Sequence, residues 1–138
     1  MIKSLANKDA TDLPLYVNFH GGAGYAGNPA DDIGLLSRLA VENKIVCFSV
    51  GYRLGPENKY PTGVNDAKAA VDYFIENAEK YGCDPNRLAV GGTSAGSWIT
   101  CGANILLSRE GRSDKVKLMV LSSPMLGGST IYGNTPKD

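Results

Sequence analysis

The segment that decides the fold is residues 88–96, which read LAVGGTSAG. It opens with a short apolar run typical of a buried strand, and a helical pattern of apolar residues follows it up to Leu107. Between the two is a Gly-x-Ser-x-Gly turn centred on Ser94. A strand-to-helix turn of this kind presents a nucleophilic hydroxyl above a sheet, and its glycines let strand and helix approach closely. We therefore predict that Ser94 is a catalytic nucleophile and that Gly92 and Gly96 shape its turn.

On both sides of this turn, apolar patterns alternate between strands and helices. We predict strands at residues 15–19, 45–50, 87–90 and 117–122. The first predicted helix starts with Asn28 as N-cap and Pro29 in its first turn. The second runs from Pro61 to Gly82, and the third spans residues 95–107. Such alternation indicates a parallel sheet, so the predicted fold class is α/β with about four parallel strands.

The domain prediction is a single partial domain over residues 1–138. It comprises an N-terminal extension at 1–14, β-α units at 15–124 and an irregular tail at 125–138. A four-stranded parallel sheet has two outer strands that are edges, and parallel sheets are rarely left uncovered. We therefore expect further polypeptide, of this protein or of another chain, to cover them.

A second glycine-rich loop, residues 20–24 (HGGAG), follows the first predicted strand directly. If that strand lies beside the strand that precedes Ser94, the loop amides point at the same oxyanion as the amide of Ala95. Residues 22–27 also read G-x-G-x-x-G, the pattern of a dinucleotide-binding loop. The next strand ends without an acidic residue for a ribose, although Arg53 would suit a 2′-phosphate. The serine turn favours the oxyanion loop, because a dinucleotide site gains nothing from a serine turn.

Three motifs in the same order resemble the hormone-sensitive-lipase-like family of carboxylesterases, the alpha/beta hydrolase fold-3 group. Residues 20–24 resemble its HGGG loop, residues 52–67 its YRLAPE segment with the proline and Asp-Ala that follow, and residues 84–96 its approach to GDSAGG. The resemblance covers most of residues 15–124. It implies an α/β-hydrolase fold and hydrolysis of carboxylic esters through an acyl-enzyme on Ser94.

The resemblance also implies roles for individual residues. The oxyanion amides would be those of Gly22, Ala23 and Ala95. Structural roles fall to the remaining motif residues, which are His20, Gly21, Gly24, Arg53, Glu57, Gly92 and Gly96. Arg53 and Glu57 would fix the loop near the site, the alternative being a solvated pair.

Three positions depart from the family pattern in the two glycine-rich motifs. Ala23 stands where a third glycine is usual, and it is tolerable if its φ stays negative. Thr93 replaces the usual aspartate and Ser97 the usual last glycine. Neither of these two positions carries bond-making chemistry.

The single histidine of the chain, His20, precedes Ser94. We expect it to be a structural donor that shapes the following loop, because α/β-hydrolases place the catalytic histidine after the nucleophile. Without a histidine to accept the serine proton, the isolated chain is predicted to be inactive or nearly so. We expect a fragment of a carboxylesterase. The alternatives are a non-catalytic small-ligand-binding relative, like the gibberellin receptors that keep this fold without the histidine, and a dinucleotide-binding domain.

The amino-acid composition gives no indication of a nucleic-acid or membrane partner. Lys+Arg and Asp+Glu number 14 each, so no net field draws the chain to nucleic acid or a lipid surface. We see no signal peptide or membrane span, and the three cysteines lack metal-ligand spacing. We expect a cytoplasmic protein that acts on a small ester without cofactor or metal, and we make no prediction of its oligomeric state.

Overall fold

Strands and helices alternate along the chain as the apolar patterns predict. The computed structural model describes residues 1–3 and 9–124, and the predicted irregular tail at 125–138 lies outside them. The elements in chain order are β1 (Leu13–Phe19), α1 (Ile33–Asn43), β2 (Val46–Val50), α2 (Thr62–Asn77), β3 (Cys83–Thr93), α3 (Ala95–Arg109) and β4 (Val116–Ser122). A 3₁₀ turn, Ala78–Tyr81, prolongs α2 as far as Gly82, whose φ of 71° ends it as predicted.

The four strands form one parallel sheet in the order β2-β1-β3-β4. The predicted α/β class is therefore confirmed. Since β1 lies directly beside β3, the loop after Phe19 and the turn after Thr93 leave the sheet at the same edge. This adjacency places the two glycine-rich motifs together.

The core is divided between the two faces of the sheet. The larger cluster lies against α2 and α3, where residues such as Val17, Phe19 and Val90 pack with Val71 and Ile99. The smaller cluster lies against α1 and contains Tyr16, Leu36, Ala40 and Cys47. Coverage of both faces explains why the inner strands appear as continuous apolar runs.

The start of α1 differs from the prediction. Asn28 is not its N-cap, since the helix begins at Ile33. The Asn28 side-chain oxygen instead accepts the amide of Ala30, and the Asp31 carboxylate accepts both the backbone and the side-chain N–H of Asn28. These local bonds close a turn that competes with the helix. Ile33, the first residue of α1, is 47% exposed.

The outer strand β4 keeps apolar side chains exposed, with Leu118 at 58% and Val120 at 45%. Leu118 and Val120 pair in register with Ala89 and Gly91 of β3, so they share a face of the sheet. The opposite outer strand, β2, is bridged at Cys47 by Ile2. An exposed apolar edge strand is a template for pairing with more polypeptide. The expectation that further chain covers this edge stays a prediction.

No helix within residues 1–3 and 9–124 combines the length and the apolar character needed to cross a membrane.

Candidate active site

The turn that carries Ser94 is strained in the way that a nucleophile turn requires. Ser94 has φ 55° and ψ −115°, a backbone conformation that costs a non-glycine residue about 1–3 kcal/mol. Hydrogen bonds hold it from both sides. Its amide donates to the carbonyl oxygen of Ser122 at 2.8 Å, and its own carbonyl accepts the amide of Ser97 at 3.0 Å. The backbone of this half-buried serine is thereby fixed at the carboxyl end of β3.

The two glycines of this turn are required by the close passage of β1. A Cβ added to Gly92 would collide with the carbonyl oxygen of Phe19 and lie 2.6 Å from the carbonyl carbon of Gly96. A Cβ added to Gly96 would collide with the same Phe19 oxygen and lie 2.7 Å from the carbonyl oxygen of His20. All of these are backbone atoms, which cannot rotate away. The Gly-x-Ser-x-Gly spacing is therefore a packing requirement between β1, β3 and α3.

The HGGAG loop lies in contact with the serine turn. A Cβ added to Gly21 would lie 3.1 Å from the carbonyl oxygen of Thr93 and 3.6 Å from Cβ of Ser94. Beyond Gly21 the loop turns back on itself, since the amides of Tyr25 and Ala26 both donate to the Gly22 carbonyl at 3.0 Å. Among residues 1–3 and 9–124, the amides of Gly22, Ala23 and Ala95 donate to no protein acceptor.

Ala23 adopts a φ of +54°, so the condition under which alanine would be tolerated without strain is not met. The reason is the tight turn in which it lies. Residue 23 falls inside the loop that the Ala26 amide closes on the Gly22 carbonyl, and Gly22 and Gly24 on either side also have positive φ. The third glycine of the family motif would adopt this conformation without strain.

We expect Ala23→Gly to raise the free energy of unfolding by about 0.5–1 kcal/mol. Left-handed backbone costs an alanine about 1–2 kcal/mol, and the extra freedom of glycine in the unfolded chain offsets about 0.4–1 kcal/mol of the gain. Urea unfolding followed by circular dichroism measures the change. Ala30→Gly is the matched control, because Ala30 lies in a nearby exposed turn without positive φ and should only lose stability. Equal losses in both variants would contradict the prediction.

His20 is a buried structural residue in this geometry. It is 1% exposed and stacks on the ring of Tyr52, with centroids 4.5 Å apart. Its Nδ1 lies 2.7 Å from the carbonyl oxygen of Gly21, which can only accept, so Nδ1 carries the proton and donates. The Tyr52 hydroxyl donates to the His20 carbonyl at 2.8 Å. Burial, followed by the charge of Asp32, raises the pKa of Tyr52 to about 12, which keeps the hydroxyl a donor at neutral pH.

Arg53 binds Asp66 rather than Glu57. Its Nη2 lies 2.7 Å from Oδ1 of Asp66, its Nε lies 2.9 Å from Oδ2, and its backbone amide donates to the same carboxylate at 3.0 Å. Glu57 is exposed. These contacts support the predicted role of Arg53 in fixing the loop, which stays a prediction, as does that of Glu57. The alternative, a solvated Arg53–Glu57 pair, is not formed, since Arg53 binds Asp66. The partner lies at the start of α2, so the bond ties the loop after β2 to that helix.

Asp66 makes stability depend on pH. The hydrogen bonds and charge of Arg53 hold the pKa of the Asp66 carboxyl below its ordinary value of 3.8. A depressed folded-state pKa contributes stability above the unfolded-state pKa, and this contribution is lost as pH falls through the folded-state value. We expect Asp66→Asn to lower the free energy of unfolding at pH 7 and to differ little from the native chain near pH 2. Urea unfolding at both pH values measures this. Glu42→Gln, which removes an exposed pair at 3.4 Å, is the control and should have little effect at either pH.

From the sequence alone, no individual role was predicted for two residues of the site region. Tyr52 and Asp66 both lie within the segment that resembles the YRLAPE motif. The motif therefore marked the segment, but it did not show that Tyr52 contacts His20 or that Asp66 binds Arg53. The carbonyl of Ser122, which holds the Ser94 amide, is a backbone group that no sequence pattern marks.

The dinucleotide alternative does not fit the geometry. In that fingerprint the glycine loop runs directly into the helix whose N-terminus holds the pyrophosphate. Here α1 begins only at Ile33, after the separate turn at Asn28. No cluster of three or more potential metal-ligating side chains occurs in the part of the chain that the structure describes.

Comparison with known proteins decides the family. Residues 16–136 match the family model described as alpha/beta hydrolase fold. The chain belongs to this family. Carboxylesterase NlhH of Mycobacterium tuberculosis is 40% identical over 89 residues, which are 64% of this chain and 28% of that protein. Arylacetamide deacetylase-like 3 of Homo sapiens is 40% identical over 86 residues, or 62% of this chain and 21% of that protein.

Solved alpha/beta hydrolase structures agree with the sequence relatives. EstE1, a thermophilic carboxylesterase cloned from a metagenomic library, has a TM-score of 0.82 and 34% identity, covering 94% of this chain and 46% of its own. A bacterial heroin esterase has a TM-score of 0.81 and 35% identity, covering 85% of this chain and 37% of its own. The resemblance to carboxylesterases is therefore confirmed. This chain spans less than half the length of each of these four relatives.

Proposed function

We propose that this chain supplies the nucleophile and the oxyanion hole of a carboxylic ester hydrolase. The observation that carries the proposal is the contact between the strained Ser94 turn and the HGGAG loop, whose Gly22 and Ala23 amides have no acceptor in residues 1–3 and 9–124. The carboxylesterases among the relatives support the reaction class.

In the proposed reaction, Oγ of Ser94 attacks the carbonyl carbon of a small ester. A C–O bond forms, the serine proton passes to a base, and the carbonyl electron pair moves to oxygen. The amides of Gly22, Ala23 and Ala95 donate to this oxyanion. Collapse of the intermediate breaks the bond to the alcohol, which leaves with a proton, and water then releases the acid from Ser94.

The N-terminus of α3 adds to the stabilisation of the oxyanion. This helix begins at Ala95, immediately after the nucleophile, so the positive end of its dipole faces the developing charge. Removing one oxyanion donor typically lowers kcat by about 10²–10³. A preformed cluster of amides is consequently a large part of what this chain would contribute to catalysis.

We place the base in polypeptide outside these 138 residues. His20 does not serve, because it is 1% exposed and its ring is stacked on Tyr52. In the Ser-His-Asp arrangement a histidine takes the serine proton and a carboxylate orients that histidine. The relatives extend well beyond the part matched by this chain, which leaves room for both groups.

A chimera tests the proposal. Residues 16–122 of this chain replace the matching segment of EstE1, and the remainder of EstE1 is kept. We expect the folded chimera to hydrolyse p-nitrophenyl butyrate, and Ser94→Ala to lower its kcat by about 10⁶. Ser108→Ala, at an exposed serine near the end of α3, should leave kcat unchanged. Activity that survives Ser94→Ala, or a folded chimera that is inert beside active EstE1, would refute the proposal.

A further inference from the structure

Ser97 is the only one of the motif departures whose side chain is completely buried and bonded to the nucleophile turn. It is 0% exposed, and its Oγ lies 2.6 Å from the carbonyl oxygen of Gly92 and 3.1 Å from that of Ser122. The family motif has glycine here, which has no hydroxyl. The two contacts are therefore a property of this chain.

The two carbonyl groups that Oγ of Ser97 contacts both lie close to Ser94. Gly92 lies two residues before Ser94, and the Ser122 carbonyl is the one that also accepts the Ser94 amide at 2.8 Å. The backbone amide of Ser97 donates in turn to the Ser94 carbonyl. The single hydroxyl proton of Ser97 is shared between the carbonyls of Gly92 and Ser122, with the shorter contact to Gly92, and the Ser122 carbonyl also accepts the Ser94 amide.

We propose that Ser97 is a positioning residue, whose hydroxyl, shared between the carbonyls of Gly92 and Ser122, holds the Ser94 turn against the end of β4. A strained conformation persists only where its surroundings over-determine it, and the Ser97 hydroxyl adds a constraint that glycine cannot supply. The functional meaning of this constraint rests on the proposed role of Ser94 as nucleophile. The constraint itself is independent of any reaction.

A neighbouring hydroxyl provides the matched control. Thr100 is 1% exposed and donates to the carbonyl of Gly96 at 2.8 Å, within α3 itself. Thr100→Val removes a buried helix hydroxyl one turn further on, at nearly constant volume. Ser97→Ala removes the hydroxyl that reaches the turn. If the Ser97 hydroxyl contributed only to overall stability, the two variants would have the same effect on the Ser94 amide.

Backbone amide exchange in the 138-residue chain, resolved by NMR, tests the proposal, with global stability measured by urea unfolding. In Ser97→Ala we expect exchange of the Ser94 amide to become about tenfold faster relative to the amide of Val17, and its proton shift to move. In Thr100→Val, the Ser94-to-Val17 ratio and the Ser94 shift should stay as in the native chain. Equal effects of both variants on the Ser94 amide, or no effect of Ser97→Ala, would overturn the proposal. An inert chimera would refute the ester hydrolase proposal and leave this result standing.

Discussion

Gly96→Ala is expected to lower the free energy of unfolding by about 3 kcal/mol, the upper end of what overpacking usually costs. The new methyl group would occupy the space of the Phe19 carbonyl oxygen and lie 2.7 Å from the His20 carbonyl oxygen. Relief requires β1 to separate from α3, because no side chain can rotate out of the way. Such a separation would also move the HGGAG loop away from Ser94.

Gly34→Ala is the control for Gly96→Ala. Gly34 also lies in a helix, and an added Cβ there meets nothing within 4 Å. Alanine should therefore raise the free energy of unfolding by about 0.5–1 kcal/mol, as expected from helix propensity alone. Urea unfolding of the two variants separates propensity from contact. A Gly96→Ala variant within about 1 kcal/mol of the native chain would show that strand and helix tolerate separation.

The architecture was predictable because burial leaves a strong pattern in this sequence. Strand β2 has side chains in both core clusters, Phe48 in one and Cys47 in the other, so it appears as a continuous apolar run at residues 45–50. The turn at Ser94 and the end of α2 at Gly82 were equally visible, since each needs glycine at a fixed place. Strand neighbours were an assumption until the register of β1 with β3 was known, because no local pattern encodes which strands pair.

The predictions that differ from the structure concern local backbone geometry and side-chain pairing, each of which depends on several weak interactions at once. The start of α1 moved to Ile33 because Asn28 and Asp31 satisfy each other and the backbone in a turn. The positive φ at Ala23, which the sequence left as an open condition, follows from the closure of its loop. The resemblance to the family motif identified Arg53 as a structural residue. Its partner is Asp66, and this pairing could not be predicted because it depends on where the start of α2 lies relative to the loop.

The isolated 138-residue chain is expected to react with a fluorophosphonate about 10⁶-fold more slowly than EstE1 under the same conditions. The hydroxyl of Ser94 is a weak nucleophile until a base accepts its proton. The sole histidine, His20, is stacked on Tyr52 and committed to the Gly21 carbonyl, so it cannot approach Oγ without disrupting the loop. The amides proposed to form the oxyanion hole would stabilise charge without removing the proton.

Intact-mass measurement after incubation gives the reaction rate, and peptide mapping identifies the labelled residue. EstE1 serves as the positive control, and Ser94→Ala sets the background from other hydroxyl groups. Rapid labelling of Ser94 would contradict the prediction, because it would require a base within these 138 residues. His20→Asn would then decide whether that base is His20, since the asparagine side chain retains a donor for the loop but cannot accept the serine proton.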